Sequence, residues 1–416
     1  MIDGYNLGME KGTGIATYAR NLSFALRDLG YGVSVLYGKR SAASRDELLR
    51  EIGFFEGDTD RSPARESVDR VVHALRGPLS RSAVEVPMTG RVISASFAGR
   101  MPHYDKIYNA VNVFHRSQSA FKLWGRLSDV AVPQRPDLAH WTYPLPLRVK
   151  GVPNIYTLHD LVPLRLPHTT SDNKRLYLRL IRQLKDRADH IVTVSECSKR
   201  DIVEITGISP SRVTNTYQSV DIPLALRNKS EEVVAREVEA ILGVDYKNYY
   251  LFWGSLEPKK NIGRMVQAYI ASGSTARLVI IGARAWKAEE ETRFLGAEGI
   301  INLSYVPFEL LVSLIRGAKA ALFPSLYEGF GLPMLEAMLL GTPVICSDSS
   351  SLPEVAGDAA VMVDPYDTPA LAEAIRRVDA DAGLRDAMRE RGVLQAARFT
   401  PKLYRDRLQA VYQGLM

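Results

Sequence analysis

The 416-residue chain has only two cysteines, Cys197 and Cys346, far apart and outside any ligand-like spacing. That excludes a disulfide scaffold and a thiolate zinc site. Long apolar runs are missing too: none approaches the roughly 18 residues of a membrane-crossing helix, and Met1-Ile2-Asp3-Gly4-Tyr5 shows no basic segment leading into an apolar one. A cytoplasmic protein is the expectation. There is no zinc-finger spacing and no aromatic-glycine RNA-binding motif, so nucleic acid is not expected as a partner in spite of the formal charge of +6. The pair Gly12-Thr13-Gly14 lacks the third glycine of a dinucleotide fingerprint, Thr17 holding its place, which argues against an NAD site. No Asp-x-Asp stands at a strand end to hold a divalent cation.

What is present is β-α alternation on a chain too long for one hydrophobic core, which implies two domains of roughly 200 residues. In the first half, Ile15, Tyr18, Ala19, Leu22, Ala25, Leu26 and Leu29 repeat at helical spacing up to Gly30, and Gly32–Tyr37 reads as a strand. Residues 40 to 135 carry less pattern, with helices expected near 64–76 and 108–124. Strands follow at 137–141 and at Asn154-Ile155-Tyr156-Thr157-Leu158, whose carboxyl end delivers His159 and Asp160 to the edge where open α/β sheets bind ligands. A helix from 174 to 188, a strand at 190–194 and a strand at 212–217 complete this half, and polar residues 223–232 read as a linker.

The second half is regular: strands at 249–254, 278–282, 300–303, 320–323, 344–346 and 361–363, with helices between. A parallel sheet with right-handed crossovers is implied. The most informative stretch is Pro324-Ser325-Leu326-Tyr327-Glu328-Gly329-Phe330-Gly331-Leu332-Pro333, continuing through Glu336 to Gly341-Thr342-Pro343. Pro333 suits a helix start and Gly341 the position just past its end, so a helix from Pro333 to Leu340 is expected. Its first turn would leave the N–H groups of Gly329, Phe330, Gly331 and Leu332 unpaired at the positive end of the helix dipole, where a diphosphate fits. Glu328 and Glu336 bracket that turn. Carboxylates beside an anion make sense as acceptors for the hydroxyls of a nucleotide sugar, although a dipole-favoured glutamate explains either one alone. The loop Ser255-Leu256-Glu257-Pro258-Lys259-Lys260-Asn261 brings two lysines to the same edge, placed for phosphate charge.

These motifs resemble the GT-B glycosyltransferases of family 4. The likeness rests on Gly254–Asn261, Pro324–Pro333, Gly341-Thr342-Pro343-Val344 and Ser351–Gly357, and it extends to Gly12–Ile15 and Leu158-His159-Asp160. It implies two doubly wound Rossmann-like domains facing across a cleft: an acceptor domain over 1–222, a nucleotide-sugar domain over 223–398, and a C-terminal helix at 399–416 crossing back to the first. It also implies a retaining, metal-independent hexosyltransferase with no cofactor, in agreement with the lack of an Asp-x-Asp at a strand end. Lys260 would hold phosphate, while Ser255 stands where many members carry arginine, shifting charge onto Lys260 or Lys259. Glu328 would meet the transferred sugar, Glu336 the ribose, and the 329–332 amides sugar and phosphate. His159 and Asp160 would lie near the donor sugar, Gly14 on the acceptor side and Val306 at the base. The partners implied are a nucleotide-sugar donor, with GDP-mannose as the best match, and a polysaccharide, O-antigen or lipid-linked glycan acceptor. A nucleotide-sugar epimerase or a non-catalytic nucleotide-sugar-binding protein is the alternative. The basic residues Arg61, Arg65, Arg70, Arg76 and Arg81, with Lys122 and Arg126 around Leu123-Trp124, suit contact with an anionic membrane at the inner face of the plasma membrane, though a solvated surface explains them too.

Overall fold

The computed structural model describes residues 1–7, 14–40, 44, 46–56, 81–92, 101–283 and 296–416. The helix expected near 64–76, Gly12-Thr13 and the arginines from Arg61 to Arg76 lie outside the described residues.

The second half holds a six-stranded, all-parallel sheet in the order Ile300–Leu303, Arg277–Ile281, Tyr249–Trp253, Ala320–Phe323, Val344–Ser347, Ala360–Val363. All five residues of Tyr249–Trp253 and all four of Ala320–Phe323 are buried, as central strands covered on both faces require. In chain order this sheet reads 3-2-1-4-5-6, so its strand order reverses between Tyr249–Trp253 and Ala320–Phe323. The loops leaving those two strands are the lysine loop and the Glu328 turn, and a doubly wound sheet binds its ligand in that crevice. At the same edge a Cβ on Gly282 would lie 1.9 Å from the Gly254 carbonyl, so only glycine permits the two loops to approach.

The first half forms an eight-stranded sheet in the order Val213–Asn215, His190–Thr193, Asn154–Thr157, Ala139–Trp141, Ile2–Asp3, Ser34–Tyr37, Lys106–Asn109, Val84–Val86. It is parallel except for the antiparallel edge strand Val84–Val86. The two residues of Ile2–Asp3 are central, pairing with Val35 and Leu36 on one side and His140 on the other. A small second sheet joins Arg81–Ser82, Ser128–Ala131 and Leu147–Val149.

Several expected boundaries move. The segment expected as a helix from 108 is a strand, Lys106–Asn109, followed by the helix Val113–Trp124. Pairing of Ile107 and Tyr108 with both neighbouring strands overrides their local pattern. The expected linker contains a short helix, Leu224–Arg227, and the start of another, Glu231–Leu242. The helix after the glycine turn runs Leu332–Leu339, one residue earlier than its proline suggests.

The last helix, Pro401–Gln413, buries Tyr404, Leu408, Val411 and Tyr412. It packs on the first half: Tyr412 Oη lies 2.7 Å from His140 Nδ1, and Arg405 pairs with Asp28 at 3.3 Å. Among the described residues no helix is long and apolar enough to cross a membrane.

Candidate active site

Pro258–Lys260 is a single 3-10 turn that ends at Asn261, whose φ of 61° is left-handed. The buried Asn261 amide donates to the carbonyls of Pro324 (3.0 Å) and Pro365 (2.7 Å), and the Leu326 N–H donates to the Lys259 carbonyl at 2.7 Å. These bonds fasten the lysine loop to the Glu328 turn. As a result Lys260 Nζ reaches Glu328 Oε1 at 2.6 Å, with both side chains nearly buried. Ser325 Oγ donates to the same oxygen at 2.8 Å. Burial opposes ionisation of Glu328, but Lys260 and Lys259 outweigh it and hold the carboxyl below the ordinary range. Lys259 is likewise disfavoured by burial, and Asp160, Glu328 and Glu257 more than compensate, keeping it charged.

The turn itself is held by serines at and just after the end of the strand Val344–Ser347. The Glu328 N–H donates to Ser350 Oγ (2.9 Å), Ser351 Oγ donates to the Glu328 carbonyl (2.9 Å), and Ser347 Oγ donates to the Ser325 carbonyl (2.6 Å). Sequence reading missed this role; its signal was the run Ser349-Ser350-Ser351 leaving a strand at the ligand-binding edge. Gly331 sits at φ 103°, and a Cβ there would press to 2.7 Å of Leu352, so glycine is required at the helix start. Among the described residues, the amides of Gly329, Phe330, Gly331 and Leu332 have no backbone or side-chain acceptor.

One turn into the helix, Glu336 accepts a hydrogen bond from Trp253 Nε1 at 3.0 Å. Burial pushes its carboxyl up to about 7, and the indole bond only partly offsets this. A carboxyl poised near neutrality is suited to hold a hydroxyl in either protonation state. Trp253, the last residue of its strand, is a further partner that the sequence did not single out.

Across the cleft, His159 Nε2 lies 3.0 Å from the Thr142 carbonyl. Since a carbonyl only accepts, the proton is on Nε2 and Nδ1 is the acceptor. The Tyr18 ring meets the imidazole edge to face at 4.6 Å. Burial lowers the His159 pKa, and Lys259 acts in the same direction against the Thr142 bond and Asp160. The ring is therefore a neutral acceptor. The domains touch here: a Cβ on Gly329 would fall 2.7 Å from the His159 carbonyl and 3.3 Å from Asp160 Cβ. Ser198 Oγ lies within reach of the carbonyls of both His159 (3.0 Å) and Gly329 (3.3 Å).

The structure thus brings His159, Asp160, Lys259, Lys260, Glu328 and Gly329 together, with Gly331, Leu332 and Glu336 along the adjoining helix start. Phe330 does more than offer an amide, because its ring packs on Phe399 at 5.6 Å and Tyr217 at 6.3 Å where the halves join. Ser255 is exposed and bonded to the Glu257 carboxylate. Gly14 is exposed at the start of the helix Gly14–Asp28, where an added Cβ would meet none of the described residues within 4 Å. Val306 is buried before the helix Phe308–Gly317, next to Tyr305, which is 77% exposed. Among the described residues, no group of three or more His, Cys, Asp or Glu side chains could hold a metal ion.

Two doubly wound domains, with cationic and glutamate-bearing loops at the switch point of one facing a histidine edge of the other, define a GT-B fold. Residues 68–222 match the model described as "Glycosyltransferase Family 4" and residues 236–395 the one described as "Glycosyl transferases group 1". The chain belongs to the GT-B glycosyltransferases of family 4. It is 33% identical over 259 residues to the O-antigen chain mannosyltransferase B of Escherichia coli, covering 59% of this chain and 66% of that one. The chain spans between 32% and 66% of the length of the first curated relatives it matches. In fold it is similar to a sucrose-phosphate synthase from Thermosynechococcus elongatus (TM-score 0.67, 16% identity, 100% of this chain and 98% of that one). It is also similar to Anabaena Alr3699/HepE solved in complex with UDP (TM-score 0.65, 14% identity, 100% and 99% covered).

Proposed function

We propose that this protein is a retaining hexosyltransferase that moves mannose from GDP-mannose to a hydroxyl of a growing polysaccharide, O-antigen or lipid-linked glycan. The observation that carries the reading is the Lys260–Glu328 pair set beside the open amides of residues 329–332, opposite His159. The names of the O-antigen mannosyltransferase relatives support the mannose donor and the glycan acceptor. A complex of a fold neighbour with UDP-glucose supports a nucleotide sugar as the ligand class.

In this reading the diphosphate lies against the 329–332 amides with Lys260 and Lys259 supplying positive charge, a preorganised stabilisation of the leaving group that calls for no metal ion. Glu336 accepts from the ribose, and Glu328 from hydroxyls of the transferred sugar. Val306 and its neighbours contact the base. As the bond from the anomeric carbon to phosphate oxygen breaks, the acceptor oxygen bonds to that carbon on the same face, and its proton passes to the departing phosphate oxygen. Neutral His159 accepts a hydrogen bond and does not have to take the proton. The protein works in the cytoplasm, and the basic and apolar surface at Lys122, Leu123, Trp124 and Arg126 meets the inner face of the plasma membrane.

The test is a thermal-shift and turnover screen with GDP-, UDP- and dTDP-sugars. A GDP-selective rise in melting temperature, followed by α-linked mannosyl product, is expected. Selective stabilisation by UDP or dTDP would overturn the donor assignment, and an inverted linkage would overturn retention. Free epimer formed from the donor alone would replace transfer with epimerisation.

A further inference from the structure

We propose that Tyr18 is a positioning residue for His159, and that a buried chain of side chains running to the C-terminal helix sets where Tyr18 stands. This rests on the transferase reading above, which gives His159 its task, and adds to it the group that holds the imidazole in place.

The bond to the Thr142 carbonyl fixes one atom of the His159 ring, Nε2. A single hydrogen bond leaves a ring free to rock about it. Tyr18 removes that freedom. Its ring stands at 88° to the imidazole with centroids 4.6 Å apart, an edge-to-face pair in which either ring turns only by breaking the contact. Tyr18 is 2% exposed and belongs to the helix Gly14–Asp28, an element outside the sheet that carries His159.

Tyr18 is itself held. Its Oη lies 2.9 Å from Thr157 Oγ1, Thr157 Oγ1 lies 2.8 Å from His140 Nε2, and His140 Nδ1 lies 2.7 Å from Tyr412 Oη. Thr157 and His159 are two residues apart on one extended stretch, whose pairing continues through the Leu158 N–H to the Val192 carbonyl. That spacing brings both side chains to one face, so a single tyrosine reaches both. His140 joins from the adjacent strand, where it pairs with Ile155. All four side chains of the chain are buried. Burial pushes the His140 pKa down to about 3 and the Tyr18 pKa up to about 12, so the chain carries no charge near neutral pH. A neutral imidazole donates from one nitrogen and accepts at the other, and the hydroxyls on either side reorient to suit. Buried hydrogen bonds linked in this way reinforce one another, and loss of one member leaves its neighbour unpaired. Tyr412 lies in the last helix, Pro401–Gln413, which follows the second domain. The end of that helix therefore acts on the His159 edge through three hydrogen bonds and one ring contact.

Proton–nitrogen correlation NMR on the full chain with isotope-labelled histidine reads the imidazole directly, the His159 signals being those lost in His159→Gln. The wild type should show one neutral tautomer with its proton on Nε2. Tyr18→Leu should add the second tautomer, because the ring is no longer held against Thr142. Tyr18→Phe keeps the ring and drops its hydroxyl, and Tyr412→Phe drops only the far hydroxyl, so both should shift the same signals by less. With the donor and acceptor that turn over in the screen above, Tyr18→Leu should lower kcat roughly five- to tenfold at unchanged donor KM, the scale of one aromatic pair. Tyr18→Phe should recover part of that loss. A lone Nε2–H tautomer in Tyr18→Leu, or a rise in donor KM with kcat unchanged, would overturn the positioning. Should Tyr18→Leu not fold, unshifted His159 signals in Tyr18→Phe would overturn it instead. Unmoved signals in Tyr412→Phe would overturn the link to the C-terminal helix. Failure of the wild type to transfer from any nucleotide sugar, with the tautomer changes as expected, would remove the transferase reading and leave the hold of Tyr18 on His159 standing.

Discussion

Lys260 holds Glu328 at 2.6 Å, so its charge is shared before any phosphate arrives. Replacing one member of this pair therefore has unequal consequences. Lys260→Ala removes the cation nearest the leaving group and should lower kcat by about 10²- to 10³-fold, the usual loss for one preorganised electrostatic contact. Glu328→Gln removes the competing anion, so GDP should bind at least as tightly while turnover still falls; isothermal titration and product assays separate the two. A nucleotide that bound more weakly to the Gln variant would refute the sharing. Glu336 carries a pH signature. Its folded pKa of about 7 is above the ordinary carboxylate value of 4.5, so its contribution to stability is fully present below about pH 4.5 and is lost as pH rises through 7. Glu336→Gln should thus match the wild type in melting temperature at pH 5 and exceed it at pH 8. If the ribose binds the ionised form, GDP affinity should rise between pH 6 and 8 in the wild type and stay level in the variant.

At the scale of elements, two loops leave adjacent strands and are pinned together by Asn261. The site depends on that fastening. Asn261→Ala leaves the buried Pro324 and Pro365 carbonyls without their donor and forces a Cβ-bearing residue lacking a polar side chain to φ 61°. A loss of roughly 2 kcal/mol or more is expected from the unpaired carbonyls alone. Asn261→Gly relieves the backbone strain and not the missing bonds, so it should fall between wild type and Ala in urea unfolding. Equal stability of all three would remove Asn261 from this role. Elements of the second half were legible because central parallel strands are apolar throughout and their helices are bounded by proline and glycine. Lys106–Asn109 was not legible as a strand: Ile107 and Tyr108 continue a helical pattern, and only pairing with Ser34–Tyr37 and Val84–Val86 makes them extended. The Glu-x7-Glu turn was readable almost residue by residue, since a helix start declares itself locally. The serines that hold it were not, because they arrive from the next strand.

At the scale of the molecule, the two domains are clasped by contacts away from the lysine pair. Glu354, in the short helix Leu352–Ala356, accepts from the N–H groups of Glu196 (2.8 Å) and Cys197 (3.1 Å), capping a helix of the opposite domain. Ser195 caps the same helix from within, accepting from Ser198 N–H at 3.0 Å. Tyr327 donates to Asp201, which Arg165 also holds, so the donor turn is tied directly to the first domain. Glu354→Ala should open the cleft, seen as a larger radius of gyration in small-angle scattering, and lower turnover while leaving GDP binding by the second domain in place. An unchanged radius and rate would show that the remaining contacts suffice.

What the sequence by itself determined is therefore local: the β-α alternation, the glycine-punctuated helix start with its free amides, and the residue types offered at each strand end. Short-range sterics and hydrogen bonding set these, and they need no distant partner. Only the tertiary structure decided how much charge Lys260 has to spare, the pKa of Glu336, the tautomer of His159 and the clasp by Glu354. Each of these depends on groups far along the chain, 68 residues for Lys260 with Glu328, 83 for Trp253 with Glu336 and 158 for Glu196 with Glu354. Burial and partnership of that kind arise when strands and domains meet, and so the Glu328 turn and the His159 edge come into contact only in the folded molecule.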